Sequence, residues 1–285
     1  MLYALKNDKD TIVFDGKNYV LRYVDWDAAG ASHTTSKGVG QIGEQVDYST
    51  IDPREIEITG HIKASSAEDM EVKKSALYKM CDPRFPFLAM PDTSKQLTCK
   101  ALNTVKFSYR KLLNNDRVAQ FTINAIAHDP LFRDAVPRVR KISEWKSNFT
   151  WPLVIPAEGF TFEDHTESLI TTLTNHGHVE VGMMIEFTAE ASVENPTLTN
   201  LDTGEYIKLN RTLAAGETVI VNTNYGQESC ISYLGGTETD IINDFDVDGT
   251  FLQAPVGTST FYYDADSNVN SMTITIRFVQ GYLGV

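Results

Sequence analysis

From Thr171 onward, apolar residues recur mostly at every second position: Val179 and Val181, Ile185 and Phe187, Ile207 and Leu209, Val219 and Val221, then Met272, Ile274, Ile276 and Phe278. A period of two sends alternate side chains to opposite faces of a sheet, one toward a core and one toward water. Between these runs lie Asn175-His176-Gly177, Glu194-Asn195-Pro196, Asp202-Thr203-Gly204-Glu205, Asn224-Tyr225-Gly226 and Gly235-Gly236, all of turn-favouring composition. Short strands with regular turns and no intervening helices predict a sandwich or barrel and exclude a βαβ nucleotide fold.

The first half also reads mainly as strands, over Thr11–Phe14, Tyr19–Val24, Glu55–Ile62, Phe87–Met90, Gln96–Ala101, Val105–Arg110 and Val118–Ala127. Asp15-Gly16-Lys17 is a hairpin signal between the first two. Residues 27–50, with Gly30, Ser32, Gly38, Gly40 and Gly43, have no sustained period and are expected to form a long loop, mobile or engaged with a partner. One helix is predicted at about 66–81. Ser65-Ser66-Ala67-Glu68 has the spacing of a capping box, Met70, Leu77 and Cys81 share a face widened by Ala76 and Met80, and Asp82-Pro83 ends it. Such a helix packs over a sheet.

The domain boundary is expected after Asp129-Pro130-Leu131-Phe132. This divides the chain into an N-terminal domain over 1–132, a basic connector containing Pro137 over 133–150, and a C-terminal domain over 151–285 that starts at Trp151-Pro152-Leu153. The fold class is mainly β: an N-terminal β-sandwich with one packed helix, then a C-terminal β-sandwich. Charge divides in the same way. Residues 1–145 hold 21 Lys and Arg against 19 Asp and Glu, whereas residues 146–285 hold 4 against 19. The acidic half would repel nucleic-acid phosphates and anionic membranes. At 285 residues and 42% hydrophobic content, the chain can bury two cores. Its longest apolar stretch, Phe85 to Met90, is too short to span a bilayer. The N-terminus has acid where a signal peptide needs an apolar region, so a cytosolic product, or one leaving the cell without secretion, is expected.

Candidate chemistry is sparse. Gly38-Val39-Gly40-Gln41-Ile42-Gly43 matches GxGxxG but lacks the flanking strand and helix that a pyrophosphate site needs, and is expected to be a loop. Asp244, Asp246 and Asp248 with Gly249 reproduce the start of a calcium loop, yet position 12 is Pro255 where a bidentate Glu belongs. His176-Gly177-His178 lacks a third ligand, and His33, His61, His128 and His165 are isolated. Cys81, Cys99 and Cys230 have no metal or disulfide spacing and read as small buried hydrophobes. No catalytic, cofactor-binding or metal-binding residue is assigned, no cofactor is expected, and the protein is read as a non-enzyme.

Several segments in order carry a resemblance. In the first half they are Pro53-Arg54-Glu55-Ile56-Glu57-Ile58-Thr59-Gly60-His61-Ile62, the helix after it, and His128-Asp129-Pro130-Leu131-Phe132. In the second they are Trp151-Pro152-Leu153, Asn175-His176-Gly177, Asn195-Pro196-Thr197-Leu198-Thr199-Asn200 with Thr203-Gly204-Glu205, Asn222-Thr223-Asn224-Tyr225-Gly226, and the terminal Gly281-Tyr282-Leu283-Gly284-Val285. Across nearly its whole length the chain resembles the distal tail protein (Dit) family of long, non-contractile-tailed bacteriophages. The resemblance implies a virion structural protein at the tail tip, present in the host cytoplasm before assembly and in some cases prophage-encoded. It also implies a homohexameric ring of N-terminal domains with galectin-like or jelly-roll C-terminal sandwiches, through which DNA passes. The implied partners are the tail tube, the tape measure protein, tail-tip or tail-associated proteins and receptor-binding proteins, with no sequence-specific nucleic acid and no membrane insertion. The chain has no room for the carbohydrate-binding modules inserted in some members.

Two other readings compete. A carbohydrate-binding sandwich would stack sugars on Tyr225, Tyr233, Phe261, Tyr262 and Tyr263, residues that could equally fill a core. A glycoside hydrolase would need two carboxylates facing each other across a cleft.

Overall fold

The computed structural model describes residues 2–26, 28–142, 144–147, 163–166 and 169–285, with 144–147 and 163–166 as backbone alone. The chain forms two compact units, Met1–Ala135 with Tyr282–Val285, and Val136–Gly281. It is mainly β, as the period-two pattern predicts.

The first unit contains β1 (Ala4–Lys6), β2 (Thr11–Val13), β3 (Tyr19–Trp26), β4 (Ala31–Ser36), β5 (Gln45–Ile51) and β6 (Arg54–Lys63). Helix α1 (Ala67–Met80) follows, then β7 (Pro86–Met90), β8 (Lys95–Ala101), β9 (Lys106–Phe107), β10 (Val118–Ala127) and β11 (Phe132–Asp134). The main sheet runs β2-β1-β7-β8-β10-β6-β3. Asp15-Gly16-Lys17 does form a turn, with Gly16 at φ 74° and Asp15 accepting from the Lys17 and Asn18 amides. It does not close a hairpin, because β2 and β3 lie at opposite ends of the sheet. Laid flat, seven strands would separate those edges by about 29 Å. The stretch from Val13 to Tyr19 reaches only about 21 Å fully extended. The sheet must therefore roll until its edges approach each other, around a core of residues such as Ile58, Leu97, Phe121 and Ile123. Gly60 sits inside that roll, where an added Cβ would come within 2.6 Å of the Phe121 ring and 2.7 Å of the Val20 carbonyl oxygen.

Helix α1 packs Met70, Leu77 and Met80 into this core. Its cap lies one residue beyond the predicted box: Ser66 accepts from the Asp69 amide at 3.1 Å, and Asp69 accepts from the Ser65 amide at 2.8 Å. Asp69 thus serves as the acceptor in place of Glu68, closing onto the amide just before the cap residue.

Arg54, 4% exposed, ties the first unit together. Its guanidinium donates to the carbonyls of Pro130 at 3.2 Å, Trp26 at 3.5 Å and Leu283 at 2.6 Å, and lies 5.0 Å from the Phe132 ring centre. Trp26 meets Phe132 edge-on at 5.4 Å. One buried cation thus fastens the last residues of the chain to its first half. Beside it, β27 (Gly281–Tyr282) pairs with β11, and Lys95 lies over the Tyr282 ring.

The second unit begins with β12 (Arg138–Ile142), β13 (Glu144–Ser147) and β14 (Glu163–Thr166), then β15 (Ile170–Asn175), β16 (Val181–Ala189), β17 (Val193–Glu194), β18 (Thr197–Asn200) and β19 (Tyr206–Lys208). It continues with β20 (Thr212–Leu213), β21 (Thr218–Asn222), β22 (Ser229–Leu234), β23 (Thr237–Asp240), β24 (Gln253–Ala254), β25 (Gly257–Asp264) and β26 (Met272–Phe278). One sheet runs β12-β26-β16-β21-β22-β23 with β24 on β16, and a second runs β15-β25-β18-β19. Both contribute to one core that includes Leu173, Ile185, Phe187, Leu198, Phe261 and Ile274.

Two boundaries differ from expectation. The residues expected to connect the domains include β12, which pairs with β26 from Arg138↔Phe278 to Ile142↔Ile274. It is an edge strand exposed at all but Ile142, so it leaves no alternating apolar trace. The last four residues belong with the first unit. The expected domain start at Trp151-Pro152-Leu153 lies outside the described residues.

The turn segments prove to be staples. Asn175, 1% exposed, donates to the carbonyls of Val179 and Ala254 at 3.0 Å each and accepts from the Gly177 amide at 2.8 Å. Gly177 is required there because a Cβ would stand 2.6 Å from the Gly281 carbonyl oxygen.

Replacing Arg54 with Ala strands three carbonyls and is expected to lower the unfolding free energy by about 3 kcal/mol. Deleting residues 282–285 should destabilise in the same direction, whereas Val72→Ala on the exposed helix face should change stability by less than about 0.5 kcal/mol. Urea denaturation of the full chain checks all three.

Candidate assembly interface

Among the described residues, the longest stretch of strand exposed at every position is the arm formed by β4 and β5. The glycine-rich stretch between Trp26 and Asp52 was expected to be a loop. Instead it folds as an antiparallel hairpin from Ala31↔Ile51 to Ser36↔Gln45, with a bulge after Thr34. All thirteen strand residues are exposed, so neither face is buried and no apolar period exists to be read. Polar cross-strand pairs hold the register: Ser32 with Asp52, the His33 ring with Ser49 at 2.7 Å, Thr35 with Glu44 and Ser36 with Asp47 at 2.9 Å each.

An isolated two-stranded hairpin is marginal in water. This one also carries apolar side chains outward. Val39 and Ile42 at its tip are fully exposed, and Val46, Tyr48 and Ile51 are about half exposed along β5. Contiguous exposed apolar surface of this kind marks an interaction site. The GxGxxG stretch lies at the arm tip, with Gly40 and Gly43 at φ 78° and 82°. It is a turn, as expected. A second projection follows β9, where Tyr109 and Leu112 stand fully or largely exposed beside Arg110 and Lys111.

Charge separates the units as it separates the halves of the sequence. The first unit holds 18 Lys and Arg against 18 Asp and Glu, a net of zero. The second holds 7 against 20, a net of −13. A neutral unit can approach its own copies without repulsion, while an acidic one stays solvated and apart.

The remaining candidates resolve individually. Asp244 forms an ion pair with Arg211 at 2.9 Å, and Arg211 also pairs at 2.9 Å with Glu217, a carboxylate 1% exposed that accepts from Ser232 and the Ala214 amide. The first carboxylate of the calcium-like run is thus already engaged. Among the described residues no group of three or more His, Cys, Asp or Glu is arranged to hold a metal ion. His176 and His178 are both exposed at a turn. The three cysteines are buried free thiols, each pushed up to about 12 by burial. The proposed aromatic platform separates: Phe261 and Tyr263 are fully buried in the core, Tyr262 faces outward between them, Tyr225 lies in the turn before β22, and Tyr233 lies within β22 on the other sheet. The sequence missed the arm, and the only signal that could have found it was the run of β-compatible Thr, Ser, Val and Tyr on either side of a glycine-rich centre.

A rolled neutral β unit bearing an exposed hairpin, followed by an acidic sandwich, defines an assembly protein. Residues 13–126 match the phage tail protein RIFT-related domain, and residues 176–282 match the C-terminal domain of siphovirus-type tail components. The chain belongs to the siphovirus distal tail (Dit) family and is a structural component of the tail-tip hub. Its fold is similar to that of the SPP1 Dit (gp 19.1) protein, described as a paradigm of the hub adsorption apparatus in phages infecting Gram-positive bacteria. That match has a TM-score of 0.65 at 12% identity and covers 97% of this chain and 98% of the other. A chain of the phage P2 baseplate in its calcium-activated conformation matches with a TM-score of 0.50 at 10% identity over 97% of each chain. No curated protein sequence matches.

Two outcomes follow for the decoys and the sheet face. With Asp244 held by Arg211, millimolar calcium should leave the melting temperature unchanged, and a rise of several degrees in a thermal scan would show that the carboxylates converge. On β6, burial, then the charges of Arg22 and Lys63, hold the His61 imidazole below its ordinary value. The folded state therefore binds this proton less well than the unfolded state. Its contribution is present above the ordinary histidine range and is lost as pH falls through that range to the lowered folded value. Thermal melts from neutral pH into mild acid should show a decline that His61→Gln reduces.

Proposed function

We propose that this chain closes head-to-tail into a homohexameric ring built from its first unit, with the arm as the main contact between neighbours and the acidic sandwiches projecting from the ring. The ring joins the tail tube to the tape measure protein, the tail-tip proteins and the receptor-binding proteins, and gives DNA a passage. The carrying observation is a hairpin exposed along its whole length with apolar residues at its tip, which a neighbouring copy would cover. The β2 and β3 edges support the same reading. They are different strands at opposite ends of one sheet, so pairing between copies would be heterologous, and a heterologous contact closes into a ring when its rotation allows.

Light scattering on a sizing column and negative-stain images of the full chain test this reading. The expected result is a ring of six copies. Replacing residues 31–51 with a short Gly-Ser linker should yield monomers whose melting temperature is close to that of the parent, because the arm buries nothing in its own unit. Tyr48→Asp should weaken assembly in the same direction. A parent chain that stays monomeric at every concentration, and with its neighbouring tail proteins present, would overturn the proposal.

A further inference from the structure

The outer face of the four-stranded sheet in the second unit carries a row of side chains that the hub role does not use. Register places Tyr262 opposite Ile170 on one side and Thr199 on the other, and Thr199 opposite Tyr206. Their neighbours Phe261, Tyr263, Leu198 and Ile207 are fully buried, so the alternate residues point away from the core. Strands β25, β18 and β19 are consecutive, which sets the two tyrosines roughly 10 Å apart across Thr199.

Carboxylates border this row. Asp246 and Asp248 belong to a segment that runs beside β19, where the Asp246 amide donates to the Lys208 carbonyl at 2.9 Å and the Thr250 amide to the Tyr206 carbonyl at 2.8 Å. Partial burial, then the charges of Asp246 and Asp248, raise the Tyr206 phenol. Partial burial, then the charge of Asp264 and a hydrogen bond donated to it, raise the Tyr262 phenol. This run of acids is the calcium-like stretch of the sequence, with Asp244 taken by Arg211 and the other two left beside the aromatic row.

We propose that this face binds an uncharged oligosaccharide, with Tyr206 and Tyr262 as two stacking platforms and Asp246, Asp248 and Asp264 as acceptors for sugar hydroxyls. An ionised carboxylate only accepts hydrogen bonds, so a border of three requires a ligand rich in donors. Sugars combine such donors with apolar ring faces that lie against aromatic side chains, and sandwich proteins use this pairing repeatedly. The net charge of −13 on the unit disfavours a polyanion, and it makes a second copy of the same acidic face repulsive. Two platforms about two strand spacings apart suit an extended chain that meets one ring and then the other. The proposal does not depend on ring formation, since the face lies wholly within the second unit.

The full-length protein is applied to an array of uncharged hexasaccharides of glucose, galactose, mannose and N-acetylglucosamine, and each retained sugar is titrated by calorimetry. At least one is expected to bind. Tyr206→Ala and Tyr262→Ala should each weaken it on the order of tenfold. Tyr262→Phe keeps the platform and should retain most of the affinity, while Asp248→Asn, on an exposed position that leaves the fold intact, should weaken binding severalfold. Tyr225→Ala, on a turn away from the row, should change nothing. Melting temperatures of all variants separate lost folding from lost binding. Retention of none of these sugars, or undiminished binding by both alanine variants and Asp248→Asn, would overturn the proposal.

Discussion

A strand edge is a row of unpaired amide donors and carbonyl acceptors, and the way each edge is met governs the first unit. A link of a few residues joins strands at opposite ends of its sheet, so the sheet rolls, and the roll encloses the core that α1 and Gly60 complete. What the roll cannot satisfy within one chain is the arm. Its cross-strand polar pairs fix its shape, yet its apolar tip has no cover in its own unit. A shape held rigid before association loses less entropy when a neighbour docks on it. The arm is therefore suited to serve as a preformed connector.

Two buried charges show how the units hold segments that lack apolar anchors. Arg54 gathers carbonyls from three distant stretches, and Glu217 gathers Arg211, Ser232 and a backbone amide. Each charge would be costly to bury alone and is satisfied on several sides. Such contacts depend on direction, so they select one arrangement of loops where apolar packing alone would tolerate several.

What was legible in the sequence follows from burial. Val118–Ala127 alternates in and out without fault and was read to the residue, as were the helix face of Met70 and Leu77 and the strand ending at Phe278. The arm and β12 were missed because strands without a buried face have no reason to alternate. The Asp15-Gly16 turn was read correctly while the pairing of its flanking strands was not, since a turn is local and sheet order is not. The same limit applies to the candidate sites. Sequence placed Asp244, Asp246 and Asp248 together but could not see that Arg211 claims the first. It also grouped Phe261, Tyr262 and Tyr263, where alternation alone assigns two to the core and one to the surface.

The return of the chain to its first unit has an effect on synthesis. A ribosome delivers Ala4 through Asp134 long before Tyr282 and Leu283, so the Leu283 carbonyl reaches Arg54 well after those of Trp26 and Pro130. Until then Arg54 holds the carbonyls of Trp26 and Pro130 without the third, and β11 lacks its Gly281–Tyr282 partner. A copy that lacks Leu283 has one carbonyl fewer at Arg54, so contacts far apart in the sequence decide together whether the arm stands on a settled base.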